Sequence, residues 1–347
     1  MSEEAAVEAI ELVKRFGSTV AVDGVSFRVP RGTVLGLLGP NGAGKTTTVR
    51  MLTTLSRPTS GTGRVAGHDI RTEGDAVRRS MGLTGQAATV DELLTARENL
   101  YLIGRLAGVS RRALRPLGDD LLERFTLAEA ADRVVKTYSG GMRRRLDLAV
   151  SLITTPPVLF LDEPTTGLDP RSRNDLWEVL RGLVREGTTL VLTTQYLEEA
   201  DQLCDDIVVI DHGRVLATGT PTQLKDQSGR ASVVVTVTDP GRLDEAERVM
   251  RECFAEVYLE RGARRLTAPS DGLADLSRIG QRLLAHDLAV DELGLARPSL
   301  DDVFLSLTGH RAETGAADEQ APSGETDRDE DLDRPDDVDH QFEGAAR

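Results

Sequence analysis

The 347-residue sequence is poor in cysteine and in aromatic residues. Its two cysteines, Cys204 and Cys253, are far apart and match no metal-ligand spacing, so we expect two reduced thiols, as in cytosolic proteins. Aromatic residues make up 3% of the chain, and aliphatic side chains must therefore form most of the core. The length and the 39% hydrophobic share are sufficient for two domains.

The sequence also lacks a basic leader and a long apolar run. The first ten residues, MSEEAAVEAI, are acidic, whereas a signal peptide starts with basic residues and continues with an apolar stretch. No uninterrupted apolar run approaches the ~20 residues that span a bilayer. The longest candidate, LAVSLITTPPVLFL, is short and contains Pro156 and Pro157. We therefore predict that this chain does not enter the membrane by itself.

Negative charge is concentrated at the carboxyl end of the sequence. Of the formal net charge of −15, residues 311–347 contribute −9, with thirteen acidic and four basic residues. This polar segment cannot bury enough apolar surface to offset the entropy lost on ordering, and we predict that it is disordered. The preceding 310 residues carry only −6, which provides no electrostatic attraction for nucleic acid.

The rest of the chain divides into two predicted domains. Alternating strands open the sequence, and short apolar runs such as VLGLL, VLFLD and TLVLTT then alternate with helical patterns. Apolar runs separated by helices predict a parallel sheet that is covered on both faces. We predict an α/β domain over residues 1–228, a small α+β domain over residues 229–310, and the disordered tail over residues 311–347.

A phosphate-binding loop follows the run VLGLL. GPNGAGKTT fits the pattern G-x-x-x-x-G-K-[ST] and precedes a helical stretch. Its glycines let successive backbone N–H groups point at one anion, and the helix N-terminus adds positive charge. Lys45 supplies a charge for the β- and γ-phosphates, the Thr46 hydroxyl can hold Mg²⁺, and Thr47 is a further phosphate contact. The predicted ATP-binding residues of the loop are Gly39, Pro40, Asn41, Gly42, Ala43, Gly44, Lys45, Thr46 and Thr47. Alone, the loop leaves kinases, GTPases and motor ATPases open.

Two adjacent acidic residues follow a later apolar run. Val158 to Leu161 form a predicted buried strand that delivers Asp162 and Glu163 at its carboxyl end, where ligands bind on an open α/β sheet. Asp162 is the expected Mg²⁺ ligand. Glu163 points elsewhere and can orient or polarise water. Adjacent acidic residues in a loop are usually solvated, but a buried strand downstream of a phosphate loop favours a functional role.

A second candidate anion site begins at Tyr138, in YSGGMRRRLDLAVSL. Ser139 can cap the following helix, and Gly140 and Gly141 expose backbone N–H groups at its positive end. A plain helix N-cap is an equal interpretation of this stretch alone. We interpret the arginine run at 143–145 as a solvated helix face, because the acidic chain does not favour a nucleic-acid patch.

With these motifs in this order, the sequence resembles the nucleotide-binding subunits of ABC transporters over about residues 5–225. The resemblance implies a P-loop NTPase fold with a mainly parallel sheet, N-terminal antiparallel strands and a helical subdomain. It implies that Phe16 stacks on adenine and that Asp169, in TGLDP, contacts the opposite subunit as part of the ATP site. Gln86 matches the glutamine loop, which senses Mg²⁺ and the attacking water.

In that family ATP lies between two subunits, the phosphate loop of one facing the signature of the other. Ser139, Gly140 and Gly141 match this signature. Because each motif occurs once here, one chain cannot complete a site, and a second ATPase subunit is implied. The resemblance also implies ATP and Mg²⁺ as cofactors, a polytopic membrane permease as partner, and a peripheral location on the cytoplasmic face of the cell membrane. We expect no nucleic-acid partner.

Three residues depart from the family pattern. Tyr138 replaces the usual leucine of the signature, Met142 replaces its glutamine, and Gln195 stands where a histidine usually contacts the γ-phosphate. An amide can donate a hydrogen bond to phosphate but cannot carry a proton at neutral pH. We therefore predict that Gln195 is a neutral sensor and that Glu163 is the general base, with Gln86 completing the catalytic set.

The segments TTQYLEEAD, GLTGQAATVDE and ARPSLDDVFLSLTGH resemble the daunorubicin-resistance branch, the ATP-binding proteins of bacterial drug and antibiotic exporters. This resemblance predicts an ATPase that drives export through a separate permease. A soluble ABC-type ATPase of DNA repair or translation is the main alternative. Only about 90 residues separate the phosphate loop from the signature, there is no cysteine cluster, and there is one ATPase unit, all of which disfavour it. The ATPase of an importer is a second alternative, which the sequence leaves open. We interpret the small domain as an accessory domain for regulation or dimerisation.

Overall fold

The structure is a computed structural model that describes residues 5–85, 90–227 and 231–296, together with residues 299–300, 303–304 and 307. All of these residues belong to the unit Met1–Thr314. The strands are, in chain order, β1 (Ala5–Phe16), β2 (Thr19–Pro30), β3 (Val34–Leu38), β4 (Ser60–Val65), β5 (His68–Asp69), β6 (Met81–Thr84), β7 (Val158–Asp162), β8 (Thr189–Thr194), β9 (Asp206–Asp211), β10 (Arg214–Gly219), β11 (Ser232–Val237), β12 (Tyr258–Glu260), β13 (Arg265–Pro269) and β14 (Val290–Ala296).

The helices of the described residues alternate with these strands along most of the chain. They are α1 (Lys45–Leu52), α2 (Gly74–Arg79), α3 (Ala96–Leu106), α4 (Arg111–Arg124), α5 (Gly140–Ser151), α6 (Pro170–Arg185), α7 (Leu197–Leu203), α8 (Pro221–Gln227), α9 (Leu243–Cys253) and α10 (Leu273–Ala285). Short 3-10 helices cover Ala128–Ala130, Val135–Thr137 and Pro240–Arg242. Among the described helices, none combines the length and the apolar character needed to cross a membrane.

The central sheet has six strands in the order β10-β9-β3-β8-β7-β6, and all neighbours are parallel except β9 and β10. Its inner strands β3, β7 and β8 are buried along their whole length, as their continuous apolar runs predict. In β7, Leu159 and Leu161 belong to one hydrophobic core, and Val158 and Phe160 belong to the core on the opposite face. The predicted parallel sheet is therefore confirmed.

The two faces of this sheet are covered by different structures. An antiparallel sheet in the order β2-β1-β4-β5 covers one face, where Val7, Leu12 and Val25 are buried. The other core contains residues of α3, α4 and α5, including Leu100, Leu121 and Leu146. These elements match the N-terminal antiparallel strands and the helical subdomain that the resemblance implies.

The strands β11 to β14 form a third sheet with a core of its own. The chain order is β11-α9-β12-β13-α10-β14, and the antiparallel strand order is β12-β13-β11-β14. This is the split βαβ, or ferredoxin-like, arrangement. Its core includes Val235, Met250, Leu266 and Ile279.

The end of the described chain returns to the first domain. Leu300, Val303 and Phe304 are buried in the same core as Leu224 of α8 and Leu203 of α7. Our prediction from the sequence assigns these three residues to the small α+β domain. The helical spacing of their apolar side chains does not show which of the two cores they join. The three domain limits stay a prediction.

Candidate nucleotide-binding site

The phosphate loop connects β3 to α1. Gly42 and Gly44 have φ angles of 82° and 105°, in the left-handed region that favours glycine. A Cβ on Gly44 would also lie 2.5 Å from the carbonyl oxygen of Ala21, so the backbone there fits against β2 only without a side chain. The loop thus obtains its shape from its own glycines and from the neighbouring strand.

Lys45 begins α1 and is only 4% exposed. Its ammonium donates to the carbonyl oxygens of Gly39, at 2.7 Å, and Pro40, at 2.9 Å, as a buried charge requires. A cavity of about 210 Å³ lies over the loop and is lined by residues 41–47, Ala21 and Glu163. The structure therefore brings Glu163, which is far away in the sequence, to the phosphate loop.

Asp162 lies at the end of β7 and is buried. Its Oδ1 accepts hydrogen bonds from the hydroxyl of Thr46, at 2.9 Å, and from the hydroxyl of Thr193, at 2.6 Å. The two predicted metal ligands Thr46 and Asp162 are thus brought together. Sequence reasoning missed Thr193, which is the register partner of Asp162 on β8. The threonine pair at the end of TTLVLTT was the available signal.

Glu163 turns away from Asp162 because its backbone is left-handed, with φ at 51°. Such a conformation costs a non-glycine residue about 1–3 kcal/mol and persists only where its surroundings hold it. The Glu163 N–H donates to the carbonyl oxygen of Thr193, at 3.2 Å, and lies 3.1 Å from its hydroxyl. The carboxylate accepts from the hydroxyl of Thr166 at 3.4 Å. The strained turn therefore presents Glu163 to the cavity.

Arg144 holds the other side of this turn. Its guanidinium donates to four carbonyl oxygens: those of Gly85 at 2.6 Å, Asp162 at 3.0 Å, Glu163 at 2.8 Å and Pro164 at 2.9 Å. Burial lowers the pKa of Arg144, and nearby carboxylates, Asp147 first, act in the opposite direction. The interpretation of the arginine run as a solvated face is wrong for Arg144, because α5 turns this residue toward β7.

The signature motif forms the start of α5. Ser139 caps the helix by accepting from the backbone N–H of Met142 at 3.3 Å, which confirms the predicted cap. Tyr138 is buried, and its hydroxyl donates to the carbonyl oxygen of Ala130 at 2.6 Å. Met142 packs against the core. The two departures in this motif are therefore accommodated without displacing Ser139, Gly140 or Gly141.

Asp169 is exposed at the N-terminus of α6. Its carboxylate accepts from the backbone N–H of Ser172 at 2.9 Å and from the Ser172 hydroxyl at 2.8 Å. These hydrogen bonds, the backbone one first, lower the pKa of Asp169. The structure thus gives Asp169 a capping role, and its predicted contact with a second subunit stays a prediction.

Gln195 directly follows β8, as the sequence predicts. Its side chain is half-buried, and Oε1 accepts no hydrogen bond from any described residue. Glu199, on the following helix α7, is fully buried and accepts from the indole N–H of Trp177 at 3.4 Å. Burial raises the pKa of Glu199. Within the described part of the chain, the amide oxygen of Gln195 is thus a buried polar atom without a hydrogen bond, at the carboxyl end of β8. Ligands of open α/β sheets usually bind at this end of the strands.

Two further predicted residues lie at the margins of the site. Phe16 ends β1 and is 55% exposed, with the ammonium of Lys14 at 4.9 Å from its ring centroid. One side of the ring is thus occupied by a cation. Gln86 lies outside the described residues, directly after Gly85, whose carbonyl oxygen Arg144 binds.

Comparisons with known structures and families define the class of protein. The family model described as ABC transporter matches residues 22–166. A solved structure described as the ATP binding subunit of an ABC transporter superposes with a TM-score of 0.57 at 29% identity, over 64% of this chain and 92% of that chain. The structure of another ABC transporter's ATP-binding cassette, in its ADP conformation, superposes with a TM-score of 0.57 at 26% identity, over 63% of this chain and 92% of that chain. The fold is that of an ABC ATPase.

Sequence relatives place the chain more narrowly. It is 51% identical over 321 residues to the daunorubicin/doxorubicin resistance ATP-binding protein DrrA of Streptomyces peucetius, covering 91% of this chain and 96% of that protein. It is 46% identical to the doxorubicin resistance ATP-binding protein DrrA of Mycobacterium tuberculosis, over 84% of this chain and 89% of that protein. Identity to the Nod factor export ATP-binding protein I of Ralstonia nicotianae is 42%, over 86% and 92%. The chain therefore belongs to the ABC transporter ATPases, in the daunorubicin/doxorubicin-resistance branch, which confirms the resemblance.

Proposed function

We propose that this ATPase powers the export of a hydrophobic, drug-like compound through a separate polytopic permease. The observation that carries the proposal is that the phosphate loop and Glu163 line one cavity, in a chain whose relatives are named for drug resistance and for export. Such a site supplies energy from ATP but contains no path for a cargo. The chain would bind its permease on the cytoplasmic face of the cell membrane.

The site residues have complementary roles in this proposal. Lys45 and the loop N–H groups hold the phosphates, and Phe16 stacks on adenine. Thr46, Asp162 and Gln86 would hold Mg²⁺, which would neutralise phosphate charge. The oxygen donors fit this ion, since Mg²⁺ usually takes one or two carboxylates together with substrate phosphates. The Thr46 hydroxyl is 2.9 Å from Asp162 Oδ1, so both can face one ion.

Glu163 orients the attacking water and accepts its proton, because it is the acidic side chain that lines the phosphate cavity. Gln195 donates a hydrogen bond to the γ-phosphate as a neutral sensor. Its Oε1 accepts no hydrogen bond from the residues that the structure describes. In this arrangement the acid–base step belongs to Glu163 and not to Gln195.

A second ATPase subunit completes each site. Ser139, Gly140 and Asp169 are exposed, and none of them lines the phosphate cavity of its own chain. These positions suit residues that reach the nucleotide of a facing subunit. We propose a homodimer, with the signature of one chain closing on the phosphate loop of its partner.

Transport in inside-out membrane vesicles tests this function. Crosslinking in membranes first identifies the permease that this chain binds. Vesicles from cells that express both proteins should then accumulate doxorubicin when ATP is added. Vesicles carrying Glu163→Gln are the matched control and should not. If the crosslinking recovers ribosomes or DNA in place of a polytopic protein, a soluble ABC-type ATPase is favoured. ATP-driven movement of cargo in the opposite direction would favour an importer.

A further inference from the structure

We propose that Arg144 is a positioning residue for ATP hydrolysis. Its guanidinium holds the turn formed by Asp162, Glu163 and Pro164 in the geometry that the reaction needs, and ties that turn to the start of the glutamine loop. This inference rests on the proposed role of Glu163 as the general base. Arg144 itself does not line the phosphate cavity, so it acts through other residues.

The contacts of Arg144 form one connected clamp. The side chain is 13% exposed, and its Nε, Nη1 and Nη2 atoms donate to the four carbonyl oxygens at distances of 2.6 to 3.0 Å. Three of these oxygens belong to consecutive residues, and the fourth belongs to Gly85. The planar guanidinium presents its N–H groups in a fixed fork, which a lysine ammonium cannot reproduce. The number and geometry of these bonds select arginine specifically.

The clamp acts on a residue that requires support. Glu163 has a left-handed backbone, which an L-residue keeps only when its surroundings determine it. Thr193 binds the N–H of Glu163, and Arg144 binds its C=O at 2.8 Å. The N–H of Glu163 is therefore held by a residue of β8, and its C=O is held by a residue of α5. Without Arg144 the C=O of Glu163 keeps only the longer hydrogen bond from the Thr166 N–H, at 3.4 Å, so the turn is held less firmly and the carboxylate can leave the cavity.

The same clamp connects the signature helix to the catalytic turn. Arg144 belongs to α5, whose first residues are the signature. The carboxylate of Asp147, one turn further along α5, lies 3.9 Å from the guanidinium and adds a long ion pair on the helix side. Arg144 thus joins the signature helix by hydrogen bonds to the backbone of Glu163 and to that of Gly85.

The neighbouring arginines provide matched controls. Arg143 is half-exposed and pairs with Glu92 at 3.0 Å, and Arg145 donates to the carbonyl oxygen of Phe125 at 3.3 Å. Both lie on the same helix as Arg144, but neither binds the catalytic turn. A general effect of removing an arginine from α5 would therefore appear in all three variants.

Kinetics of the full-length chain test the proposal. In Arg144→Ala, kcat for ATP hydrolysis should fall on the order of 100-fold while KM for ATP stays within about threefold, because misplacement of a reacting group affects the chemical step. Arg143→Ala removes an exposed ion pair and should keep kcat within about threefold. Arg145→Ala should do the same, because its hydrogen bond is to Phe125 and not to the turn. Added guanidinium chloride at millimolar concentration should restore part of the lost rate. Arg144 lines an open cleft of about 680 Å³ that would admit the ion.

Several outcomes would overturn the proposal. They are a kcat for Arg144→Ala within twofold of wild type, an equal loss in all three variants, or a loss that guanidinium does not reverse any better than sodium chloride. If Arg144→Ala does not fold by circular dichroism, Arg144→Lys replaces it. Lysine keeps the charge but not the fork, and an unchanged kcat in that variant contradicts the proposal. Glu163→Gln is assayed in parallel: if it retains turnover, the proposed role of Glu163 fails whatever Arg144 does.

Discussion

The phosphate loop and the turn at Asp162 and Glu163 line the same region of the molecule, yet they are held in different ways. The loop depends on glycines within its own motif, at Gly42 and Gly44. The turn depends on side chains from distant elements, Thr193 on β8 and Arg144 on α5. The shape of the loop is therefore encoded mainly by its own motif, and that of the turn mainly by tertiary contacts.

The largest expected effect concerns the acidic turn. Glu163→Gln should lower ATP turnover about 100- to 10,000-fold, the range that a general base contributes, and leave ATP binding intact. The bound nucleotide should then trap a dimer, which size-exclusion chromatography with and without ATP would detect. Undiminished hydrolysis in this variant would remove Glu163 from the catalytic set.

A substitution in the loop should act on binding. In Gly44→Ala, the φ of 105° and the 2.5 Å approach to Ala21 force the loop to shift. We expect ATP to bind roughly 10- to 100-fold more weakly, from a strain of about 1–3 kcal/mol. Gly42→Ala is the control, since a Cβ there has no heavy atom within 4 Å, and it should have a smaller effect. Equal affinities for both variants, measured by titration calorimetry, would contradict the steric explanation.

Substitutions at Gln195 test whether the residue that contacts the γ-phosphate must be able to carry a charge. Gln195→Ala removes the donor amide and should slow hydrolysis by about tenfold, the effect of one hydrogen bond to a charged group. Gln195→His should be tolerated, because histidine also donates. If steady-state assays give equal rates for wild type and both variants, Gln195 is an ordinary residue of the strand end.

The smallest effect concerns the support of the turn from β8. Thr193→Val keeps the shape of the side chain but removes the hydroxyl that binds Asp162 and the N–H of Glu163. Thr193→Ser retains it. We expect Thr193→Val to lower the free energy of unfolding by about 1–3 kcal/mol, as urea denaturation would measure. A loss of the same size in Thr193→Ser would assign it to packing instead.

Much of this site could be predicted because its motifs are continuous in sequence. The loop at 39–47, the acidic pair after β7 and the cap at Ser139 follow from local patterns. Thr193 was missed because its role depends on the register between β7 and β8. The orientation of Arg144 was missed because three consecutive arginines give no indication of which one faces the core. The split βαβ order of the small domain depends on strand pairings that no short segment contains.

The burial of Leu300, Val303 and Phe304 in the first core has a consequence for the architecture. The ATPase core is discontinuous in sequence, since residues beyond β14 complete it after the small domain has been made. In sequence, the sheet of β11 to β14 thus lies between two parts of one hydrophobic core. A chain cut before residue 231 would lack three buried side chains, and each such loss from a core costs about 2–5 kcal/mol. The ATPase part is therefore complete only after translation of the small domain.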